Sequence, residues 1–300
     1  MKKVLVTGGA GFIGSNLVDL LLKNDYEVMV VDNESANGHD EYYWNSDAKN
    51  YQFNLSSSDH LGTLTEMCKK CDYIFHLASD VSIPYCIDNP DKSYLNNVSS
   101  LCNILEAARK SKVKRVIFSS TAAIYGLTDK ICLETDTPDP LNPYSVSKLS
   151  GEYLMKMYYD LYNVQTITLR YFNVYGPRQP KSGQYAPVMG IFSDQKRDGK
   201  ALTVVGDGRQ TRDFIHVSDI ALANLTVAEK DVDTYGQVYN VGTGKNTSIK
   251  SIAEMISDNI VHIPPRPAEA RKSLANVSKI KRVYGWEAKV NLMEWIKENV

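Results

Sequence analysis

Three hundred residues, 43 % apolar and 23 % charged, make a chain long enough to bury a core without disulfide staples, and exclude wholesale disorder. At about 150 residues per domain, the length allows one large domain or two modest ones. Lys and Arg number 34 against 35 Asp and Glu, and a net charge of −1 is unsuited to gripping nucleic acid or an acidic membrane surface.

The chain opens Met1-Lys2-Lys3 and enters an apolar run at Val4, but Gly8 and Gly9 cut it too short for a secretion signal. No run approaches the roughly 18 apolar residues that span a bilayer. The odd, scattered cysteines (Cys68, Cys71, Cys86, Cys102, Cys132) read as free thiols of a cytoplasmic protein. Cys68 and Cys71 form a lone C-x-x-C, better read as a helix end than as a zinc or redox site.

Short β-branched runs at Val4–Thr7, Glu27–Val31, Tyr73–Leu77, Val116–Ser119 and Thr166–Arg170 predict buried parallel strands. Between them, Phe12–Asn24 and Asp91–Lys110 carry apolar stripes at helical spacing: Ile13, Leu17, Leu20 and Leu21 in the first, Leu95, Val98, Leu101, Cys102 and Leu105 in the second. Such alternation predicts an α/β fold with a doubly wound parallel sheet, whose ligands sit beyond the carboxyl ends of the strands. After about Tyr175, glycines and prolines break the chain into shorter pieces, with a strand at Val238–Val241 and a helix over Ile249–Ile260. This texture predicts a smaller second α/β lobe. The division expected is 1–174 plus about 213–243 for the nucleotide-binding part, and about 175–212 plus 244–300 for the other.

Two constellations carry chemistry. Gly8, Gly11 and Gly14 keep the spacing G-x-x-G-x-x-G between the first strand and the first helix. There glycines permit a tight turn and let backbone N–H groups approach a pyrophosphate at a helix N-terminus. Asp32 ends the second strand 18 residues beyond Gly14, placed to accept from a ribose 2′-hydroxyl and to repel a 2′-phosphate, which favours NAD over NADP. A strand-end aspartate capping the turn at Asn33 is the plainer alternative. The second constellation is Tyr144 and Lys148, which share a helix face at i,i+4. A phenol with a pKa near 10 needs roughly 4 kcal/mol of charge stabilisation to act near neutrality, and an adjacent ammonium supplies some. Tyr-x-x-x-Lys arises often by chance; its weight comes from Ser119-Ser120-Thr121, which ends a strand at the same sheet edge. The aromatic run Tyr42-Tyr43-Trp44 flanks an adenine or covers the sheet edge. His39, His60, His216 and His262 lack metal-ligand spacing, and no metal site is expected.

With these motifs and with His76-Leu77-Ala78-Ser79, Asn96-Asn97-Val98, Asn142-Pro143-Tyr144, Arg170-Tyr171-Phe172-Asn173 and Arg212-Asp213-Phe214, the chain resembles the extended short-chain dehydrogenase/reductase family, in its NAD-dependent sugar-nucleotide epimerase/dehydratase branch. The resemblance runs from Val4 to about Trp286. It implies a Rossmann-type sheet, NAD as cofactor, a UDP-sugar as substrate and a homodimer. Catalysis falls to Tyr144 as base, Lys148 as the group that lowers its pKa, and Thr121 as hydrogen-bond partner of the reacting hydroxyl. The NAD site would comprise Gly8, Gly11, Phe12, Ile13, Asp32, Asn33, Asn54, Leu55, Leu77, Ala78, Ser79, Asn96, Tyr144, Lys148 and Phe172. Asn173, Arg212 and Arg266 would hold the UDP diphosphate and Glu269 its ribose. The helices containing Asp91–Lys110 and Met155–Tyr159 match the family's dimer interface, although their apolar residues are equally well explained as core.

Absences choose the reaction. Relatives that dehydrate a hexose carry Asp-Glu after the active-site threonine, and decarboxylating relatives carry Glu at the second position; here stand Ala122 and Ala123. Neither moves a proton. What remains is 4-epimerisation through a transient 4-keto sugar. Ser273 falls where a bulky tyrosine restricts relatives to plain hexoses, so UDP-GlcNAc and UDP-GalNAc are favoured, with UDP-glucose and UDP-galactose possible. A UDP-glucuronate 4-epimerase is the alternative within the class, and a catalytically silent NAD-sensing regulator the alternative outside it. Asn54 in place of a usual aspartate, and Val81 in place of a lysine common in galactose epimerases, depart from the family pattern.

Overall fold

The computed structural model describes residues 1–36, 41–181, 186–265 and 270–300. Strand β1 (Lys3–Thr7) feeds helix α1 (Phe12–Lys23), which returns to β2 (Glu27–Asp32) and β3 (Lys49–Gln52). Helix α2 (Leu61–Cys68) then crosses to β4 (Tyr73–His76). Beyond it come α3 (Ile83–Asp88), α4 (Pro90–Tyr94), α5 (Ser100–Ser111), β5 (Arg115–Thr121), α6 (Pro143–Tyr162) and β6 (Thr166–Tyr171). All pairings in the resulting sheet are parallel, in the order β11-β6-β5-β4-β1-β2-β3, where β11 is Gln237–Val241. The order turns back between β1 and β4, and the crevice at such a switch point is where α/β sheets bind ligands.

Each strand expected from an apolar run is present, with ends shifted by no more than two residues. Strand β3 was not expected: Lys-Asn-Tyr-Gln is exposed throughout and has no apolar run to betray it. The helix expected over Asp91–Lys110 is interrupted at Leu95–Ser99 by a wider, π-helical turn between α4 and α5. Such turns cluster at functional sites. This one aims Asn96 and Asn97 together at the segment after β4, where Asn96 Nδ2 donates to Asp80 Oδ2 at 2.9 Å and Asn97 brackets the Asp80 peptide.

Helices cover both faces. Leu17, Val18 and Leu21 of α1 pack on one face with Ile220, Ala223 and Val227 of a later helix, while Leu64, Leu101, Ile104, Leu105 and Met155 fill the other. The chain leaves the carboxyl end of β6 as β7 (Asn173–Tyr175), then builds α7 (Val188–Arg197), β8 (Leu202–Val205), β9 (Thr211–Arg212) and β10 (Phe214–His216) before α8 (Val217–Glu229) returns it to the sheet. After β11 come β12 (Thr247–Ser248), α9 (Ile249–Ile256), β13 (Ile260–Ile263), β14 (Lys272–Ser273), α10 (Ser278–Tyr284) and α11 (Leu292–Asn299). Tyr175, Met189, Phe192, Leu202, Phe214 and Ile252 centre a separate core, while Ile280, Tyr284 and Trp286 pack into the core of the sheet. The helix expected over Ile249–Ile260 ends at Ile256, because Ser257 turns extended and Ile260 pairs with Leu202 as a strand. Among the described residues no helix is long and apolar enough to cross a membrane. The five cysteines are free, with Cys68 closing α2 as expected.

A buried ion pair joins β6 to α6. Arg170 Nε and Nη2 donate to the two oxygens of Glu152 at 2.9 and 2.7 Å, and Ser120 Oγ of β5 donates to the same carboxylate at 2.5 Å. Removing one partner of such a pair strands the other in low dielectric. Arg170→Met should therefore lose about 3–5 kcal/mol of stability in urea unfolding. A loss below about 1 kcal/mol would mean that water reaches the orphaned carboxylate.

Candidate active site

The turn after β1 is packed too tightly for side chains. Gly8 adopts φ +68°, and a Cβ there would lie 2.7 Å from Ala78 N; at Gly14 a Cβ would meet Gly8 O at 2.0 Å. Helix α1 starts with Gly11 as its N-cap, and no side chain caps it. Its first N–H groups and dipole therefore face a glycine-lined opening, which fits the pyrophosphate of a dinucleotide. Asp32 lies at the same opening. Its Oδ2 accepts from Ala10 N at 3.1 Å and its Oδ1 from Glu34 N at 2.9 Å. The aspartate thus braces the Gly-rich turn and caps the turn after β2, and each oxygen still has a lone pair for a ribose hydroxyl.

Tyr144 stands in the first turn of α6, and the sequence fixes that turn locally. Asn142 Oδ1 accepts from Ser145 N at 3.0 Å, Ser145 Oγ accepts from Asn142 N at 3.2 Å, and Pro143 presets the first helical φ. Lys148 follows one turn later, and its Nζ donates to Ser119 O of β5 at 2.8 Å. Thr121, at the end of β5, lies close enough to the Tyr144 phenol to lower its pKa. Burial pushes that phenol up to about 12, against the lowering by Thr121, and pushes the Lys148 ammonium down to about 7. The lowering of the phenol expected from Lys148 is thus not the dominant effect: desolvation drives both groups toward their neutral forms. His76, fully buried beneath the pair, is held neutral by the same cause, its pKa down to about 3, and its Nδ1 bonds Thr7 Oγ1 at 2.8 Å.

One cavity brings together every residue that the sequence assigned to the dinucleotide, from Gly8, Asp32 and Asn54 at one end to Phe172, Tyr144 and Lys148, and Thr121 lines it too. It is also lined by residues to which the sequence assigned no role in the site: Asp80, Ser100, Tyr171, Val174, Pro180 and Pro187. Tyr42 stands on its wall, whereas Trp44 packs against the core and donates to Glu34 Oε1 at 2.6 Å. Asp80 left a trace in sequence, a carboxylate just past a strand end; the prolines left none, because the topology alone brings them there. Asn97 ties this wall to α6, donating from Nδ2 to Ser147 Oγ at 2.9 Å.

A second cavity adjoins the first across Val174 and Pro187, and Asn173 and Arg212 line it. Ser273 is the register partner of Arg212 in the parallel pair β14–β9, and side chains directly opposite in a pair share a face. Arg266 and Glu269 lie outside the described residues. Among the described residues no cluster of His, Cys, Asp or Glu could hold a metal ion.

A model of the NAD dependent epimerase/dehydratase family matches residues 4–242. The chain is 33 % identical over 309 residues to a UDP-glucose 4-epimerase of Mycolicibacterium smegmatis, covering 99 % of this chain and 97 % of that one. A solved structure of a UDP-glucose 4-epimerase from Thermotoga maritima with UDP-glucose superposes with TM-score 0.91 at 35 % identity, covering 99 % of this chain and 97 % of that one. A UDP-N-acetylglucosamine 4-epimerase from Methanobrevibacter ruminantium, in complex with UDP-N-acetylmuramic acid, gives TM-score 0.91 at 35 % identity, with coverages of 99 % and 96 %.

The depressed Lys148 pKa has a consequence for stability. An unfolded lysine keeps its proton up to about pH 10.5, whereas the folded one releases it near 7. Between those values the unfolded chain binds more protons, so stability rises with pH. Lys148→Met should remove a slope of at most about 1.4 kcal/mol per pH unit, measured by urea unfolding between pH 7 and 9. Parallel profiles for parent and variant would mean that the folded ammonium titrates like the unfolded one.

Proposed function

The chain belongs to the NAD dependent epimerase/dehydratase family, and from that premise we propose that it epimerises UDP-sugars at C4, with UDP-GlcNAc and UDP-GalNAc as its preferred pair. One arrangement carries this: Thr121, Tyr144 and Lys148 line the same cavity as the Gly-rich turn, and the residues after Thr121 are Ala122 and Ala123. The site thus holds an acid–base pair for a hydroxyl and a dinucleotide cradle, while the alanines offer no group for dehydration or decarboxylation.

NAD is the cofactor, and when bound it supplies a hydride acceptor and, on the return, a hydride donor. The protein's own part is the proton. Tyr144 takes it from the sugar O4 and gives it back after the 4-keto sugar has turned its other face. Thr121 holds the hydroxyl beside the phenol. A phenol at about 12 and an ammonium at about 7 are poor partners separately. As phenolate and ammonium they stabilise each other, and in a desolvated site that attraction is strong. Lys148 is therefore the group that turns Tyr144 into a base.

Asn173 and Arg212, which line the second cavity, hold the UDP half, and the family resemblance adds Arg266 for the diphosphate and Glu269 for the ribose. Ser273 lines neither cavity but is the register partner of Arg212, and its small side chain is the basis for accepting a C2 N-acetyl group in this reading. Exposed apolar residues on α4, the wide turn and α6 (Tyr94, Leu95, Tyr153, Leu161) support a homodimer through these helices, and sedimentation should give twice the chain mass. Sedimentation as a monomer would remove that part of the proposal.

A panel of UDP-sugars followed by NMR tests the activity. UDP-GlcNAc and UDP-GalNAc should interconvert without added NAD, and Tyr144→Phe should lower the rate by roughly 10²–10⁴-fold while still binding NAD. Ser273→Tyr should cut turnover of the N-acetylated pair more than that of UDP-glucose and UDP-galactose. Exchange of UDP-glucuronate alone would move the substrate to a uronic acid. Bound NAD with no exchange in any UDP-hexose would leave a silent dinucleotide sensor.

A further inference from the structure

Asn16 and Asp19 stand one and two turns beyond Phe12 on the same stripe of α1, next to the cavity that Phe12 lines. Two distant segments converge on them. Asp19 accepts from Arg178 Nη2 at 2.6 Å with one oxygen and from Asn45 Nδ2 at 2.8 Å with the other. Asn16 Nδ2 donates to Pro177 O at 3.1 Å, and Tyr43 N donates to Ala10 O, inside the Gly-rich turn, at 2.8 Å. The Arg178 guanidinium also lies 5.3 Å from the centre of the Tyr43 ring. Arg178 has φ +67°, a left-handed backbone disfavoured for any residue with a Cβ, so its side-chain contacts offset a local strain.

The neighbours of these residues form the cavity wall. Tyr42 precedes Tyr43, Pro180 follows Arg178 by two residues, and both line the cavity with Phe12. We infer that Arg178 is a positioning residue for the cofactor: it clasps the loop after β7 and the Tyr42–Asn45 segment across α1, and the dinucleotide leaves when this clasp opens. This rests on the first cavity being the NAD site. The Arg178 and Asp19 side chains are 30 % and 39 % exposed, so the clasp is of moderate strength and slows release without preventing it.

NADH release tests this, followed by the fall of its fluorescence during a chase with excess NAD. Arg178→Gln, which removes both the ion pair and the contact with Tyr43, should speed release about tenfold, and Asp19→Asn about two- to fivefold. The double variant should release no faster than the faster single one, because both changes remove one shared contact. Should Arg178→Gln fold poorly, the nearly isosteric Asp19→Asn decides alone. Release at the parental rate, or multiplied effects in the double variant, overturns the clasp. A parent protein that binds no NADH overturns the assignment of the cavity instead.

Discussion

Arg170 and Glu152 meet with only 4 % of either side chain exposed, and the elements that carry Thr121, Tyr144 and Lys148 all hang on that meeting. β6 brings the guanidinium, α6 the carboxylate, and β5 the Ser120 hydroxyl that shares it. Phe172 follows two residues after Arg170, Lys148 precedes Glu152 by one helical turn, and Thr121 adjoins Ser120. A paired charge in low dielectric tolerates little displacement, because each partner alone carries a desolvation penalty of several kcal/mol. The pair thus sets the spacing of β5, β6 and α6 more stringently than apolar packing does. Arg170 passes the constraint outward through Tyr125, which it meets at 2.7 Å, and Tyr125 OH donates to Asn240 of β11 at 2.7 Å.

Within that frame the chemistry exploits a tension. Burial disfavours charge on Tyr144 and on Lys148 alike, yet the proposed mechanism needs both to become charged together. The backbone carbonyl of Ser119 holds the lysine, so its ammonium is directed before any ligand arrives. Asn97 performs the matching task on the opposite wall. It satisfies the Asp80 peptide and Ser147 at once, fixing the distance between the segment after β4 and the helix that bears Tyr144.

How much of this was legible in sequence depends on the physics behind each feature. Buried parallel strands are continuous apolar runs, so Val4–Thr7 announces itself, while Thr166–Arg170 shows through its β-branched residues. β3 does not, since the side chains of this edge strand are exposed on both faces and have no core to fill. The Gly-rich turn is readable because only glycine fits within 2.0 Å of a carbonyl. The wide turn at Leu95–Ser99 is hidden, because one extra residue in a helical turn barely disturbs the apolar stripe on either side. The roles of Asp80, Pro180 and Arg178 are hidden for another reason: they follow from which loops meet in space, and periodicity records nothing of that.

The unremarkable outer strand has a consequence of its own. A sheet that ends on an open ladder of N–H and C=O groups invites another chain to add to it, and long apolar edges are where aggregation begins. Here one margin is β3, short and polar, with Lys49 in its first position. At the other margin, Glu134 takes the free amide of Asn240 at 2.9 Å and Lys279 takes the carbonyl of Val238 at 2.8 Å, so β11 is blocked by side chains. One margin is thus short and polar and the other blocked, so both discourage strand addition, while the carboxyl ends of the strands, where the first cavity lies, stay open.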